Sequence, residues 1–197
     1  MFNEVIDGLT DEAFESDNST SWIGSPFEKL IVMSNDARGR WGERLACEFL
    51  KLAELPHQWD ADCNNQQPDG IYDIKLETGT RIEVKTAASF KNWQHEPIYA
   101  APVWDVLFLI DVAYDKIFLT ILNRTQLLPI LVPHKAQHVL LGKGATLRKN
   151  KDDGYKFDFS PKTIENGLVH SLTFEYDYSA PNSTGLAAFI KERLLYE

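Results

Sequence analysis

Apolar and polar positions alternate with two different periods along the chain, and these periods predict where helices and strands lie. Over residues 36–54, apolar side chains recur at three- and four-residue spacing, which predicts an amphipathic helix that ends before Pro56. Ahead of it, Ser25-Pro26-Phe27-Glu28 has the capping-box pattern with proline at the first helical position. This pattern predicts a short helix that reaches about Met33.

Strand-like runs occupy the middle of the chain. They cover residues 71–76, 81–86, 103–111, 116–122 and 168–178. We expect a short helix over residues 123–132, broken by Pro129, and a closing helix over residues 184–196, capped by Ser183 or Thr184. Irregular chain is expected in residues 56–69, in the loop that holds Trp93, and in residues 133–166. This order of elements predicts an α/β fold with a mixed central β-sheet flanked by helices.

A chain of 197 residues has the length of one domain. We expect an acidic N-terminal segment over residues 1–24, in which Thr10 is a candidate helix cap, and a single domain over residues 25–197. No apolar run reaches the roughly 20 residues of a membrane span, and the acidic N-terminus lacks the basic region of a secretory signal. The expected location is therefore the cytoplasm. Cys47 and Cys63 form no zinc or disulfide pattern, so both are expected to be reduced.

The net charge of −9, taken whole, argues against a polyanionic partner. The charge is distributed unevenly, however. The first 20 residues contain six acidic and no basic side chains, which leaves only −3 for the rest of the chain. Residues 133–157 contain six basic and two acidic side chains, and this stretch is therefore positively charged. The average charge does not exclude a nucleic-acid partner.

The segment PDGIYDIKLETGTRIEVKTA, residues 68–87, predicts a β-hairpin with two-faced strands. A two-residue turn at Thr78-Gly79 would place Glu83 beside Ile74, which is a poor match. A three-residue loop over residues 77–79 instead pairs residue 75 with 81 and residue 73 with 83, and it requires a left-handed glycine at its last position. Gly79 occupies that position, so we expect this second register.

In this register the carboxylates of Asp73 and Glu83 lie opposite each other, with Lys85 on the same face. Like charges opposite one another destabilise a sheet, and a divalent cation would remove the conflict. Two carboxylates suit Mg²⁺, which takes further ligands from water and substrate phosphates. Lys85 is then placed to orient or deprotonate an attacking water and to offset charge on the phosphorus. The alternative is an ordinary hairpin with a solvated polar face, which leaves the opposed acids unexplained.

This constellation resembles the PD-(D/E)XK nuclease superfamily, which has the restriction-endonuclease-like fold. The resemblance covers about residues 36–122, the expected catalytic core: Asp73 matches the first acid, Glu83-Val84-Lys85 the ExK element, and Glu43 the additional acid that many members carry on the preceding helix. It implies metal binding by Asp73, Glu83, the Val84 backbone carbonyl and Glu43. A literal Pro-Asp also occurs at Pro68-Asp69, but Asp73 is favoured because it lies inside the predicted strand.

The resemblance implies a Mg²⁺-dependent endonuclease, with Mn²⁺ as a substitute metal, that cuts double-stranded DNA and leaves 5′-phosphate and 3′-hydroxyl ends. A small single-domain chain is most similar to type II restriction enzymes, which cut as homodimers and are accompanied by a separate cognate methyltransferase. Two alternatives stay open. One is a structure-specific or nicking nuclease of repair, recombination or a phage, and the other is a non-catalytic nucleic-acid-binding module on the same fold.

A DNA-contact region is expected at about residues 133–166, where basic residues cluster between glycines. The candidate contacts in it are Lys143, Arg148, Lys149, Asn150 and Lys151. Gln94 and His95, which follow the ExK strand, are candidate contacts to the scissile phosphate or to a base edge. For each single residue of this group, a solvated loop position is the alternative interpretation.

Overall fold

The computed structural model describes residues 2–12, 22–59, 72–89, 93–99, 104–126, 146–149, 154–159 and 171–195. The helices in these ranges are α1 (Phe2–Glu12), a 3-10 helix (Glu28–Ile31), α2 (Asn35–Leu52) and α3 (Ser183–Leu195). The strands are β1 (His57–Trp59), β2 (Ile74–Leu76), β3 (Arg81–Ala88), β4 (Trp93–Tyr99), β5 (Val106–Val112), β6 (Lys116–Asn123), β7 (Thr146–Lys149), β8 (Gly154–Phe159) and β9 (Thr173–Asp177).

Six of these strands form one mixed sheet in the order β1-β2-β3-β5-β6-β9. The β3 and β5 strands run parallel, and all other neighbours in this sheet run antiparallel. A second, antiparallel sheet of three strands has the order β4-β8-β7. The architecture is therefore α/β, with a six-stranded mixed sheet flanked by helices, as the order of elements predicts.

The helix α2 supplies one side of the core. It begins after Ser34, whose hydroxyl oxygen accepts a hydrogen bond from the Ala37 N–H at 3.2 Å and so caps the first turn. Its apolar stripe, which includes the fully buried Leu45 and Phe49, belongs to the same cluster as Val84 of β3. The helix predicted over residues 36–54 is confirmed, because burial of this stripe and the serine cap favour the same segment.

The opposite face of the large sheet is buried as well. All seven residues of β5 are buried, so this strand is covered on both faces. Trp93 of β4 packs against Phe118 of β6 with 5.3 Å between ring centroids, and the Trp93 indole N–H donates to the Val112 carbonyl oxygen at 3.1 Å. The expected loop around Trp93 is therefore wrong: this segment is a strand whose tryptophan fastens the small sheet to the large one.

The N-terminal segment also enters the core. The helix α1 buries Ile6 and Leu9 in the cluster that contains α2. Thr10 is not a cap, because it lies inside α1 and its hydroxyl donates to the Ile6 carbonyl oxygen at 2.8 Å. The described part of residues 1–24 thus packs on the rest of the chain, although its composition sets it apart.

Local hydrogen bonds change the bounds of two predicted helices. The Ser25 hydroxyl oxygen accepts from the Phe27 N–H at 2.9 Å, and the Glu28 carboxylate accepts from the Gly24 N–H at 3.1 Å, so the capping pattern closes a tight turn and only a four-residue 3-10 helix follows. The cap of α3 is Asn182, whose side-chain oxygen accepts from the Gly185 N–H at 2.8 Å, and not Ser183 or Thr184.

Two stretches expected to be irregular contain strands. Residues 57–59 form β1 at the edge of the large sheet, and β7 and β8 lie within residues 133–166. The rest of these two stretches, together with most of residues 123–132, lies outside the described residues. None of the helices that the structure describes is long and apolar enough to cross a membrane.

Candidate active site

The β2–β3 hairpin has the register that the sequence predicts. Lys75 pairs with Arg81 and Ile74 pairs with Ile82, and Gly79 ends the connecting loop with φ of +96°. The strand β2 is shorter than expected and starts at Ile74, so Asp73 lies in a bend just before it. The Asp73 N–H donates to the carbonyl oxygen of Ile82 at 2.9 Å, although Ile82 already pairs with Ile74, so the expected pair of residues 73 and 83 is not part of the ladder. Asp73 is nevertheless close enough to Glu83 for the charge of Glu83 to raise its pKa.

The carboxylate of Asp73 is fixed against the backbone of β3. Its Oδ2 atom accepts a hydrogen bond from the Val84 N–H at 2.7 Å. On the same strand, the ammonium group of Lys85 forms an ion pair and hydrogen bond with Oε1 of Glu83. The side chains of Lys85 and Glu83 are only 24% and 15% exposed, so this pair is largely shielded from water. The hairpin therefore brings two acidic side chains and one lysine together where little solvent reaches them.

Glu43 joins this group from α2. Its Oε2 atom accepts a hydrogen bond from the indole N–H of Trp59 on β1 at 3.0 Å. The helix can approach β3 closely because residue 42 is glycine: a Cβ atom there would lie 1.7 Å from the Thr86 hydroxyl oxygen. Glu43, the residue after Gly42, therefore lines the same cleft as Asp73 and Lys85.

The three carboxylates affect one another electrostatically. Burial raises the pKa of Asp73 to about 7, and the negative charge of Glu83 contributes to the rise, whereas the Val84 N–H opposes it. Burial also raises the pKa of Glu83, against the lowering effect of Lys85. The charge of Glu43 raises the pKa of both groups. The cluster thus holds more negative charge than its single lysine neutralises.

Two of the three acids, Glu43 and Asp73, border a cleft of about 830 Å³ between α2 and β3, whereas Glu83 is not among its lining residues. Glu43, Asp73, the Val84 backbone region and Lys85 line it on one side, and Arg38 and Arg40 of α2 also border it. The guanidinium group of Arg38 is bound to the protein itself, since it donates to the carbonyl oxygens of Leu30 and Met33 at 3.2 and 3.0 Å. Arg40 is exposed to solvent.

No group of three or more His, Cys, Asp or Glu side chains in the described ranges is arranged to hold a metal ion. A magnesium site does not require three such side chains, because Mg²⁺ is usually bound by one or two carboxylates together with waters and substrate phosphates. Asp73 and Glu83 are hard oxygen donors in a cluster with excess negative charge. The chemistry of this pair therefore fits Mg²⁺.

The predicted DNA-contact residues have different positions in the fold. His95 is 2% exposed, and its Nε2 atom lies 2.7 Å from Oδ1 of the buried Asp111 on β5. Its side chain is thus inside the protein and not at a surface that DNA could reach. Gln94 lies on β4, and Arg148 and Lys149 lie on β7, so the small sheet contains all three. Lys143, Asn150, Lys151 and the alternative first acid, Asp69, lie outside the described residues.

Trp59 is the site residue that sequence reasoning missed. It follows a polar stretch, and a strand of only three residues, His-Gln-Trp, has no readable period. The glycine at position 42 of this amphipathic helix was a usable signal for close packing, since glycine weakens a helix and is kept where a neighbouring element leaves no room for a side chain.

No protein-family model matches the chain, and no curated protein or solved structure gives a significant match. The interpretation of the site therefore depends on its own geometry and chemistry.

Proposed function

We propose that this chain is a Mg²⁺-dependent DNA endonuclease with a restriction-endonuclease-like core. The observation that carries the proposal is that one hairpin holds Asp73, Glu83 and Lys85 close together. Glu43 of α2 lies near enough for its charge to act on Asp73. Like charges that face each other destabilise an ordinary sheet, and a bound divalent cation would offset the charges of the carboxylates. The spacing of these residues resembles the PD-(D/E)XK pattern.

Asp73 and Glu83 would hold the metal ion, with the Val84 carbonyl and Glu43 as the further ligands that the resemblance implies. When bound, Mg²⁺ supplies positive charge that stabilises the charge developing on the scissile phosphate. In the structure, the ammonium group of Lys85 forms an ion pair with Glu83, and Lys85 lines the cleft. From there the ammonium group of Lys85 can orient the attacking water and oppose the negative charge that develops on the phosphate. Trp59 keeps Glu43 in place through its indole N–H.

A type II restriction enzyme is the most specific form of this proposal. It would cut both strands of double-stranded DNA as a homodimer, and a cognate methyltransferase would act separately. A nuclease of repair, recombination or a phage would share the same cleft chemistry. Mapping the cut sites on a long linear DNA separates the two: a discrete set of fragments supports restriction, and cutting confined to branched or nicked DNA supports the alternative.

One observation favours a non-catalytic nucleic-acid-binding module. Lys85 forms an ion pair with Glu83, so the charge of this glutamate is balanced within the fold without a metal ion. Such a module would bind DNA and leave it intact with Mg²⁺ and with Mn²⁺. The enzyme proposal requires cutting with at least Mg²⁺.

The test is cleavage of plasmid DNA by the wild type and by Lys85→Ala, each with Mg²⁺ and with EDTA. We expect cutting only with Mg²⁺, and a loss of about 10²- to 10³-fold in Lys85→Ala, the range for removing one group that stabilises charge in the transition state. The matched control is Lys116→Ala, because Lys116 also forms an ion pair with a glutamate of the large sheet, Glu175, but does not line the cleft. Cutting that survives unchanged in Lys85→Ala, or that persists in EDTA, would refute the proposal.

A further inference from the structure

Two further clefts continue the surface of the proposed active site along α2. The catalytic cleft shares Asp36 and Arg40 with a second cleft of about 560 Å³. The second cleft in turn shares Arg44 and Trp59 with a third of about 880 Å³. The three clefts therefore form one continuous surface that runs from the carboxylates to the edge strand β1.

Charge varies along this surface. Arg40 and Arg44 are one helical turn apart, on the same face of α2, and both line the second cleft. Asp36 is the one acidic side chain among the described residues that line this cleft, so its local charge is positive. One wall of the second cleft is aromatic, because it contains the ring of Trp59. The two guanidinium groups suit the phosphates of a nucleic-acid backbone, which guanidinium binds through paired hydrogen bonds.

The third cleft has no excess of positive charge among its described lining residues. Its lining includes Glu48, Glu54 and Glu77, and Lys51 of α2 is already paired with Glu48 at 2.6 Å. Glu54 is likewise paired with Lys191 of α3 at 2.8 Å. A polyanion that follows the helix away from the carboxylates would therefore find no excess of positive charge in the described lining beyond Arg44.

We propose that Arg40 and Arg44 bind backbone phosphates of duplex DNA in the second cleft and lead the strand to the carboxylates. This inference rests on the proposed nuclease function, because it assigns the path of that enzyme's substrate. Trp59 adjoins both the path and the active site, since its ring lines the second cleft and its N–H is held by Glu43. The path is built from α2 and β1, and it uses no residue of the basic region 133–166 expected from the sequence.

The test measures binding of a fluorescein-labelled DNA duplex by anisotropy in EDTA, so that cleavage does not enter the measurement. The variants are Arg40→Gln and Arg44→Gln, with Lys51→Gln as the matched control on the same helix beyond the end of the path. The affinity falls as salt rises, with a slope of about −0.9 in log affinity against log salt for each phosphate contact. Each lost contact therefore makes this slope shallower by about 0.9 and weakens binding by about tenfold at 0.1 M salt. We expect these changes in both arginine variants and neither in Lys51→Gln. Arg40→Lys and Arg44→Lys should keep most of the slope because they keep the charge.

Parallel plasmid cutting with Mg²⁺ separates this inference from the proposed function. Wild-type cutting together with unchanged affinity and salt slope in both arginine variants would overturn the path and leave the nuclease proposal intact. Arginine-dependent binding without cutting in any divalent metal would support the path and refute the nuclease. Equal losses in Lys51→Gln, or no binding by the wild type, would overturn the path. Thermal unfolding of each variant confirms that the substitutions leave the fold unchanged, since glutamine is a good helix former.

Discussion

Asp73→Asn should stabilise the protein at neutral pH while it abolishes cleavage. Asp73 carries a charge that the fold disfavours, because burial and the charge of Glu83 raise its pKa from 3.8 to about 7. Asparagine has nearly the same shape, and its side-chain oxygen can still accept the hydrogen bond from the Val84 N–H. The substitution therefore removes the unfavourable charge and keeps the main local contact.

The sign and size of the effect follow from proton linkage. A group whose pKa is raised by folding favours the folded state when it is protonated, so its contribution is fully present below pH 3.8 and is lost as the pH rises through about 7. Each pKa unit corresponds to about 1.4 kcal/mol, and the ionised Asp73 consequently costs up to about 4 kcal/mol above pH 7. At pH 5 the cost is about 2 kcal/mol, because the group is ionised only in the unfolded chain.

The assay is urea-induced unfolding of the wild type and Asp73→Asn in EDTA at several pH values between 5 and 9. The free energy of unfolding of Asp73→Asn should exceed that of the wild type by an amount that grows with pH and levels off above pH 7. Asp105→Asn is the matched control with the opposite sign, since hydrogen bonds from Arg81 lower the pKa of Asp105 and its ionised form stabilises the fold. A pH-independent difference, or a loss of stability in Asp73→Asn at pH 8, would refute the electrostatic reasoning.

Two further predictions concern packing around the site and beneath it. Gly42→Ala should lower the free energy of unfolding by about 1–3 kcal/mol, because the added methyl would lie 1.7 Å from the Thr86 hydroxyl oxygen. Gly39→Ala, which has open space at its Cβ, should instead stabilise α2 by up to about 1 kcal/mol, and equal effects in urea unfolding would contradict the close approach. His95→Ala should destabilise by about 3 kcal/mol because it leaves the carboxylate of Asp111 buried without its imidazole partner. The double variant with Asp111→Asn should recover part of this loss, and no recovery would argue against the pair.

The hairpin was predictable from sequence because two independent local rules favour one register. A three-residue loop places a glycine at its left-handed position, and the same pairing places the polar faces of both strands together. The helix α2 was predictable for a similar reason, since its apolar period is long and its bounds coincide with a serine cap and a proline. These elements are determined by residues close to each other in the chain.

The small sheet and β1 were not predictable in this way. The strand β4 is held by contacts with residues far along the chain: Trp93 binds the Val112 carbonyl, and His95 binds Asp111. A histidine in a polar stretch gives no sign that a buried aspartate will face it, so His95 was expected at the surface. The site shows the same limit, because the role of Trp59 depends on Glu43, which lies 16 residues earlier.

The charge of the whole chain says less about its partners than the charge along α2. At about 0.1 M salt, exposed charges more than roughly 10 Å apart are largely screened from one another, so a bound DNA strand responds chiefly to the residues beside it. Some acids of the N-terminal segment are also engaged within the protein: Asp7 accepts a hydrogen bond from the Tyr178 hydroxyl at 2.7 Å. The net charge of −9 therefore has little effect on the affinity of a local site for a polyanion at this salt concentration. On the proposed path, Arg40 and Arg44 would determine how tightly a strand is held in the second cleft, and the carboxylates beyond them would attract a cation.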